Sequence, residues 1–351
     1  MNIDKSKPVM ITGATGYVAG WIVKRLLDEG LTVHAAVRSP EKKDKIAHLE
    51  QFASNSSGTI KFFKADLTQP GSYTEAMQDC ELVFHTASPF FMNVKDPQKE
   101  LIEPAVHGTE NVLNSASEVG TVKRIVLTSS CAAIYGDSKD LLGTPNQKFT
   151  EEVWNTTSSI TRSPYSYSKK LAEEKAWELA KAQNAWDLVV INPSFVVGPG
   201  IKAHTNSESY NIIKQMGDGT MKSGLPDLAL GCVDVRDLAE AHFRAGFTPE
   251  AHGRNIASAE NITFLGLANM LQDKYGSKYP IPKKKIAKWL VWLIAPMAGF
   301  TRQFVSDNVG YDWKADNSKI KRELKMEFRP VKETMNDFFQ QLIDTGAFAK
   351  K

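Results

Sequence analysis

The chain alternates between short, unbroken apolar runs and longer stretches in which apolar residues recur three and four positions apart. "VMITG" (9–13) is a run of the first kind and predicts a buried strand. "YVAGWIVKRLLDEG" (17–30) is the second kind: Val18, Ile22, Leu26 and Leu27 share one helical face, and Gly30 is placed to stop it. The rhythm then repeats. Strands are predicted at 32–37, 60–66, 81–88, 122–130 and 186–194. Helices are predicted at 41–52, 71–78, 98–120 and about 164–183.

Strict alternation of strand and helix predicts a parallel sheet covered on both faces. Right-handed crossovers make it an α/β fold, a Rossmann-type doubly wound sheet. After residue 194 the rhythm breaks into prolines, glycines and isolated helices. The expected division is therefore a dinucleotide-type domain over 1–194, with 231–258 returning to it. A smaller, mostly helical C-terminal substrate lobe takes 195–230 and 259–351.

Composition narrows the function classes. The 351 residues carry 42% hydrophobic and 24% charged residues with a formal net charge of +3. That balance is ordinary for a globular chain and too weakly basic to argue for nucleic acid. Cys80, Cys131 and Cys232 are scattered without metal-binding spacing, which suits a reducing compartment. "MNIDKSKPVMITG" has no apolar signal region, and the longest apolar run, "WLVWLIAPMAGF" (289–300), is far short of the ~20 residues that span a bilayer. The expectation is a cytoplasmic protein without a transmembrane segment. The 289–300 run, preceded by lysines, reads as a helix of the substrate lobe, with a membrane-surface or oligomer contact as the alternative.

Candidate chemistry gathers at strand ends. Gly13 and Gly16 lie between the first strand and the first helix, with Ala19 where a dinucleotide fingerprint has its third glycine. Helix N-terminal N–H groups and bare glycine backbone attract a phosphate there, although a plain strand-to-helix turn has the same look. An acidic residue usually ends the second strand of an NAD site. This chain has Arg38, followed by Lys42 and Lys45, a set suited to a 2′-phosphate and hence to NADP. In "SPYSYSKKLAEEKAW" (163–177), Tyr165 and Lys169 are four apart on one helix face. A nearby ammonium is expected to lower the phenol's pKa and fit it for acid–base work. Thr128, Ser129 or Ser130, ending a strand, offers the hydroxyl that would hold a developing alkoxide.

Taken together, "TGATGYVA", "VRSPEK", "ADL", "VFHTASPF", "LTSSCAAIYG", "YSYSKKLAEEKAW", "INPSFVVGPG" and "VDVRDLAEAH" resemble the extended short-chain dehydrogenase/reductases. They are most similar to the dihydroflavonol reductase group with its microbial aldehyde and methylglyoxal-type carbonyl reductases. The resemblance runs nearly the whole length and implies NADP(H)-dependent reduction of an aldehyde or ketone. It implies Ser130, Tyr165 and Lys169 as the catalytic set. Ser130 follows from the reductases' spacing of five residues before the "YG" pair, whereas the epimerases' four would select Cys131. It also implies Thr12, Gly13, Gly16, Tyr17 and Val18 on the pyrophosphate loop, and Arg38 and Lys42 at the 2′-phosphate. Asp66 and Leu67 would then lie near adenine, Thr86, Ala87 and Ser88 along the ribose side, and Pro193 at the nicotinamide, with Tyr165 and Lys169 also touching cofactor.

No metal is implied. His85, His107 and His204 have no partner by spacing, and Cys131 is expected to be buried. Phe90, Phe91, the 132–136 turn, the 195–230 segment and the 285–305 helices are expected to set the substrate. Their apolar and aromatic character favours a hydrophobic or aromatic carbonyl compound. The group includes monomers and homodimers. Two other readings are a nucleotide-sugar epimerase or dehydratase on the same fold, and a non-catalytic NADP-sensing regulator.

Overall fold

A computed structural model describes residues 1–88, 95–202 and 207–348. In chain order its elements are β1 (Val9–Thr12), α1 (Tyr17–Asp28), β2 (Thr32–Val37), α2 (Lys43–Ser54), β3 (Thr59–Lys64), β4 (Leu82–His85), α3 (Glu103–Val119), β5 (Arg124–Thr128), α4 (Pro164–Lys181), β6 (Asp187–Pro193) and β7 (Phe195–Val197). Then come α5 (Glu208–Gly217), β8 (Leu225–Pro226), β9 (Ala229–Asp234), α6 (Val235–Phe247), β10 (Gly253–Ala257), β11 (Glu260–Thr263) and α7 (Phe264–Tyr275). The last are β12 (Lys285–Ile286), α8 (Lys288–Ile294), α9 (Arg302–Asn308), α10 (Ser318–Glu323) and α11 (Val331–Asp344).

The main sheet has seven strands in the order β10-β6-β5-β4-β1-β2-β3, all parallel. Its order reverses between β1 and β4, the switch point where such sheets open a crevice at their carboxyl edge. Side chains alternate across the sheet. Val9, Ile11, Leu82, Phe84, Val189 and Ile191 join the core under α1 and α6, while Met10, Val83, Leu188 and Val190 join the core under α3 and α4. Burial on both faces is why these strands read as continuous apolar runs. β3 is an edge, and its exposed Lys61 and Lys64 protect it from further pairing.

α1 ends where the sequence marks it. Gly30, at φ +82°, donates its N–H to Leu27 O, and Leu31 N–H reaches Leu26 O. These two bonds form a Schellman motif, with the buried Leu31 as its apolar clasp. Each fully buried leucine of this helix contributes about 1.5–3 kcal/mol.

Two predicted helices differ. Residues 71–78 form a string of turns, bounded by Gly71 (φ +73°) and Asp79 (φ +63°). The Asn111 amide donates to the carbonyls of Asp66, Leu67 and Gln69, and its oxygen accepts from Gly71 N–H, so side-chain bonds pin the chain leading into this segment. The 98–120 helix begins with a wider π turn over Gln98–Ile102 before α3 proper. Pro104 lacks the N–H an α-helical ladder needs at that point, and Glu103 N–H bonds back to Gln98 O.

After β6, a three-stranded sheet (β11-β9-β7) and the β8–β12 pair pack with α5, α7 and α11. Ile213, Met216, Leu267, Leu271, Phe338 and Phe339 fill that core. α6 packs back on α1, and β10 pairs with β6. Arg124, fully buried, ties this return in place. Its guanidinium makes paired 2.8 Å bonds to Asp187 and donates to the carbonyls of Ala245 and Thr248 beyond. Replacing Arg124 by Met leaves those acceptors unpaired. The expected cost is about 2–4 kcal/mol of unfolding free energy in a urea titration.

Candidate functional site

The glycine loop stands at the switch point. Gly13 takes φ +63°, and a Cβ there would meet Ala87 at 3.1 Å, so backbone from the β1 and β4 ends lies in close apposition. Gly16 opens α1 with no side-chain cap, leaving first-turn N–H groups for an anion. Ala19 is buried against the sheet, where a methyl fits the packing. Val18 packs at the margin of the same core. Tyr17 donates its hydroxyl to Gly198 O at 2.6 Å, and Trp21 donates to Pro199 O at 2.8 Å. Burial, then the Asp234 carboxylate, pushes the Tyr17 phenol well up, so its proton stays. The Tyr17 side chain thus anchors the loop after β7.

Thr12 joins the two halves of the switch point. Its hydroxyl oxygen accepts from the N–H groups of Thr86 (3.0 Å) and Ala87 (2.9 Å), and lies 3.0 Å from His85 Nδ1. With both lone pairs taken, the Thr12 proton goes to His85, whose Nδ1 must accept. Burial, and secondarily the Lys169 ammonium, pushes the His85 pKa down to about 3. His85 is therefore neutral, with its proton on Nε2, and has the partner that sequence spacing did not reveal. Thr86 also donates its hydroxyl to Thr12 O, and Ser88 ends the described part of this edge.

Arg38 is exposed at the end of β2, and no ion pair or hydrogen bond holds its guanidinium among the described residues. Lys42, also exposed, is the capping residue of α2. Asp66 follows β3, within electrostatic reach of Arg38. Its carboxylate accepts from the N–H and hydroxyl of Thr68, which lower its pKa more than Arg38 does. Leu67 packs so closely on α3 that a Cβ on Gly108 would sit 3.0 Å from it.

α4 brings the acid–base candidates together. Pro164 presets its first turn after Ser163, held at φ +54°. The Tyr165 phenol hydrogen-bonds the Ser130 hydroxyl, which also accepts from Ala132 N–H at 3.1 Å. The Lys169 ammonium lies over the Tyr165 ring, 6.0 Å from its centre. The expected lowering of the phenol fails. Burial raises Tyr165 to about 12, and the Ser130 bond opposes it only in part. The lysine is itself buried, and burial draws its own pKa down to about 8. Pro193 closes β6, paired with Ala257.

Sequence reading missed the support beneath these groups. Glu173, one turn beyond Lys169 on α4, is buried. It accepts from Ser129 Oγ (2.5 Å), Asn192 Nδ2 (2.8 Å), Trp177 Nε1 (3.3 Å) and Arg254 Nε (2.6 Å). Asn192 Nδ2 also donates to Ser130 O at 3.2 Å. Arg254 continues to the carbonyls of Glu151, Val153 and Ala133 and stacks on Trp154. The signals were an acidic residue at a four-residue interval from Lys169 and an arginine inside an apolar strand. Cys131 is buried and bonded to Asn192 O, with its thiol pushed up by burial. His107 is exposed on α3, and among the described residues no acidic, histidine and cysteine group forms a metal site. Phe90, Phe91 and His204 lie outside the described residues.

The sequence model of the NAD dependent epimerase/dehydratase family matches residues 9–257, spanning the switch point, α4 and β10. The chain belongs to this family. Within it, the chain is 36% identical to cinnamoyl-CoA reductase 1 of Petunia hybrida, over 96% of this chain and 92% of that protein. It is 35% identical to dihydroflavonol 4-reductase of Gerbera hybrida, over 81% of this chain and 76% of the relative. Among solved structures, yeast methylglyoxal/isovaleraldehyde reductase complexed with NADPH superposes with a TM-score of 0.76. It shares 28% identity, covering 97% of this chain and 99% of that one. All three are named as reductases. A protein solved in complex with UDP-glucose and NAD shares the fold, with a TM-score of 0.69 at 16% identity.

The buried pair makes a direct prediction. Glu173→Ala and Arg254→Met each strand a charge, and each is expected to cost about 3–5 kcal/mol. The double variant, which strands none, should lose clearly less than the sum in a denaturant-unfolding cycle.

Proposed function

We propose that this protein is an NADPH-dependent carbonyl reductase that reduces an aldehyde or ketone to an alcohol. One observation carries the reading: a Ser130–Tyr165 hydrogen bond with Lys169 above the same ring, at the carboxyl edge of a sheet whose switch point presents bare glycine backbone. The residues fit the cofactor. The uncapped start of α1 with Gly13 and Gly16 suits a pyrophosphate, and the exposed Arg38, with exposed Lys42 four residues on, suits a 2′-phosphate. Residues 1–194 with 231–258 form the cofactor-binding part in this reading, and 195–230 with 259–351 form the substrate part.

NADPH supplies a hydride when bound. Tyr165 starts protonated, as its raised pKa requires, and donates that proton to the substrate oxygen. Ser130 shares that oxygen and steadies the charge developing on it. Lys169, mostly charged at neutral pH, stabilises the phenolate that remains and orients ribose hydroxyls. Thr86, Ala87 and Ser88, at the end of β4, would hold the ribose side of the bound cofactor, and Pro193, at the end of β6, would border its nicotinamide. Relatives named as cinnamoyl-CoA and dihydroflavonol reductases support an aromatic or otherwise hydrophobic carbonyl substrate.

The test is NADPH oxidation against a panel of aldehydes, ketones and diketones, with NADH in parallel. Turnover should favour NADPH, fall at least about 100-fold in Tyr165→Phe, and lose the NADPH preference in Arg38→Asp. Silence across the panel despite NADPH binding would reject the reading.

The pH profile follows from Lys169. Its proton is present below about pH 8 and lost above it, so reduction should fall on the alkaline side with a midpoint near 8. The Glu173 carboxylate holds that value up, so Glu173→Gln should move the fall to lower pH.

A further inference from the structure

Seven of the ten exposed large apolar side chains among the described residues crowd into 289–300: Trp289, Leu290, Trp292, Leu293, Ile294, Met297 and Phe300. Met297 is 90% exposed and Trp289 69%. They project from a compact knob made of α8, a tight turn through Ala295–Ala298, Gly299 at φ +79° and α9. Only a small core of Ala295, Val305 and Val309, with Val291 and Phe304, holds the knob together. Its base is fixed more firmly. Asp307 pairs with Arg162 at 2.7 Å, and Asn308 donates to the buried Asp137 at 2.6 Å. The apolar surface is therefore presented on a held support.

Charge identifies what the surface fits. From 274 through 306 the chain contains Lys274, Lys278, Lys283, Lys284, Lys285, Lys288 and Arg302, and not one Asp or Glu. The whole chain is nearly balanced, at 43 basic to 40 acidic residues. Lys285 pairs with Asp227, whereas Lys283 and Lys284 are exposed and have no ion pair among the described residues. Arg302 stacks on Trp292 at 4.5 Å, joining a cation to the apolar face. Tryptophans and leucines flanked by unpaired lysines are the composition that seats at a lipid headgroup boundary. A second copy fits poorly, because a two-fold contact would press this cationic face against itself.

We propose that this knob, with the lysines that precede it, docks the protein peripherally on an anionic lipid bilayer, with Trp289, Leu293, Met297 and Phe300 in the acyl–headgroup boundary and Lys283 and Lys284 on lipid phosphates. No helix among the described residues is long and apolar enough to cross a membrane, so the contact is with one leaflet. Docking at this face does not depend on the reaction assigned to the site.

The full chain is mixed with extruded vesicles of phosphatidylcholine alone or phosphatidylcholine with phosphatidylglycerol, and binding is read by cosedimentation. The protein should sediment with the anionic vesicles about tenfold more strongly than with the neutral ones, and added salt should release it. A Trp289→Ser/Met297→Ser variant and a Lys283→Glu/Lys284→Glu variant, each checked for an unchanged melting temperature, should both lose that binding. Failure of the wild-type chain to sediment with either vesicle overturns the proposal. Binding that neither variant weakens also overturns it. So does a lipid-free dimer, seen by light scattering, that Trp289→Ser/Met297→Ser dissolves, which would give the face to a second copy.

Discussion

A single buried carboxylate organises the candidate site. Glu173 would be costly in an apolar interior without partners, and it has four donors. They come from the helix it sits on, from the residue before Ser130, from β6 and from β10. Satisfying this one charge fixes how α4 lies against three strand ends. The positions of Tyr165, Ser130 and Lys169 follow from that placement. The same carboxylate favours the charged form of Lys169 against the burial that opposes it.

A second clasp works on the other side of the switch point. Thr12 uses every hydrogen-bonding capacity of its hydroxyl to join β1 to the segment after β4, and in doing so it sets the tautomer of His85. Tyr17 and Trp21 bind the start of α1 to the loop after β7, and Gln341 of α11 holds that loop through Gly200. The glycine loop is thereby fastened to both the sheet and the later lobe.

Much of this is legible in the amino-acid sequence. Apolar runs located the strands because burial on both sheet faces leaves no polar alternation to confuse them. Gly30 stopped α1 because a left-handed residue was needed there. The Tyr165–Lys169 interval placed both on one face because helical spacing alone decides it. What was hidden depended on contacts distant in sequence. Asn111 and the residues bounding 71–78 turn a helical pattern into turns, and a missing N–H at Pro104 widens the start of α3. The phenol pKa is not legible from spacing, which shows proximity to a lysine but not the burial that raises it. Glu173 and Arg254 lie 81 residues apart, so their pairing could not be read locally.

The central claim is hydride delivery to a carbonyl carbon with Tyr165 as the proton source. Its most direct test uses NADPH deuterated at the transferable position, with the product of a single turnover analysed by mass spectrometry and NMR. The account predicts one deuterium on the carbinol carbon and one equivalent of NADP⁺ formed. An isomerised substrate with no net cofactor consumed, and the label back on the nicotinamide, would contradict it and make the protein an epimerase.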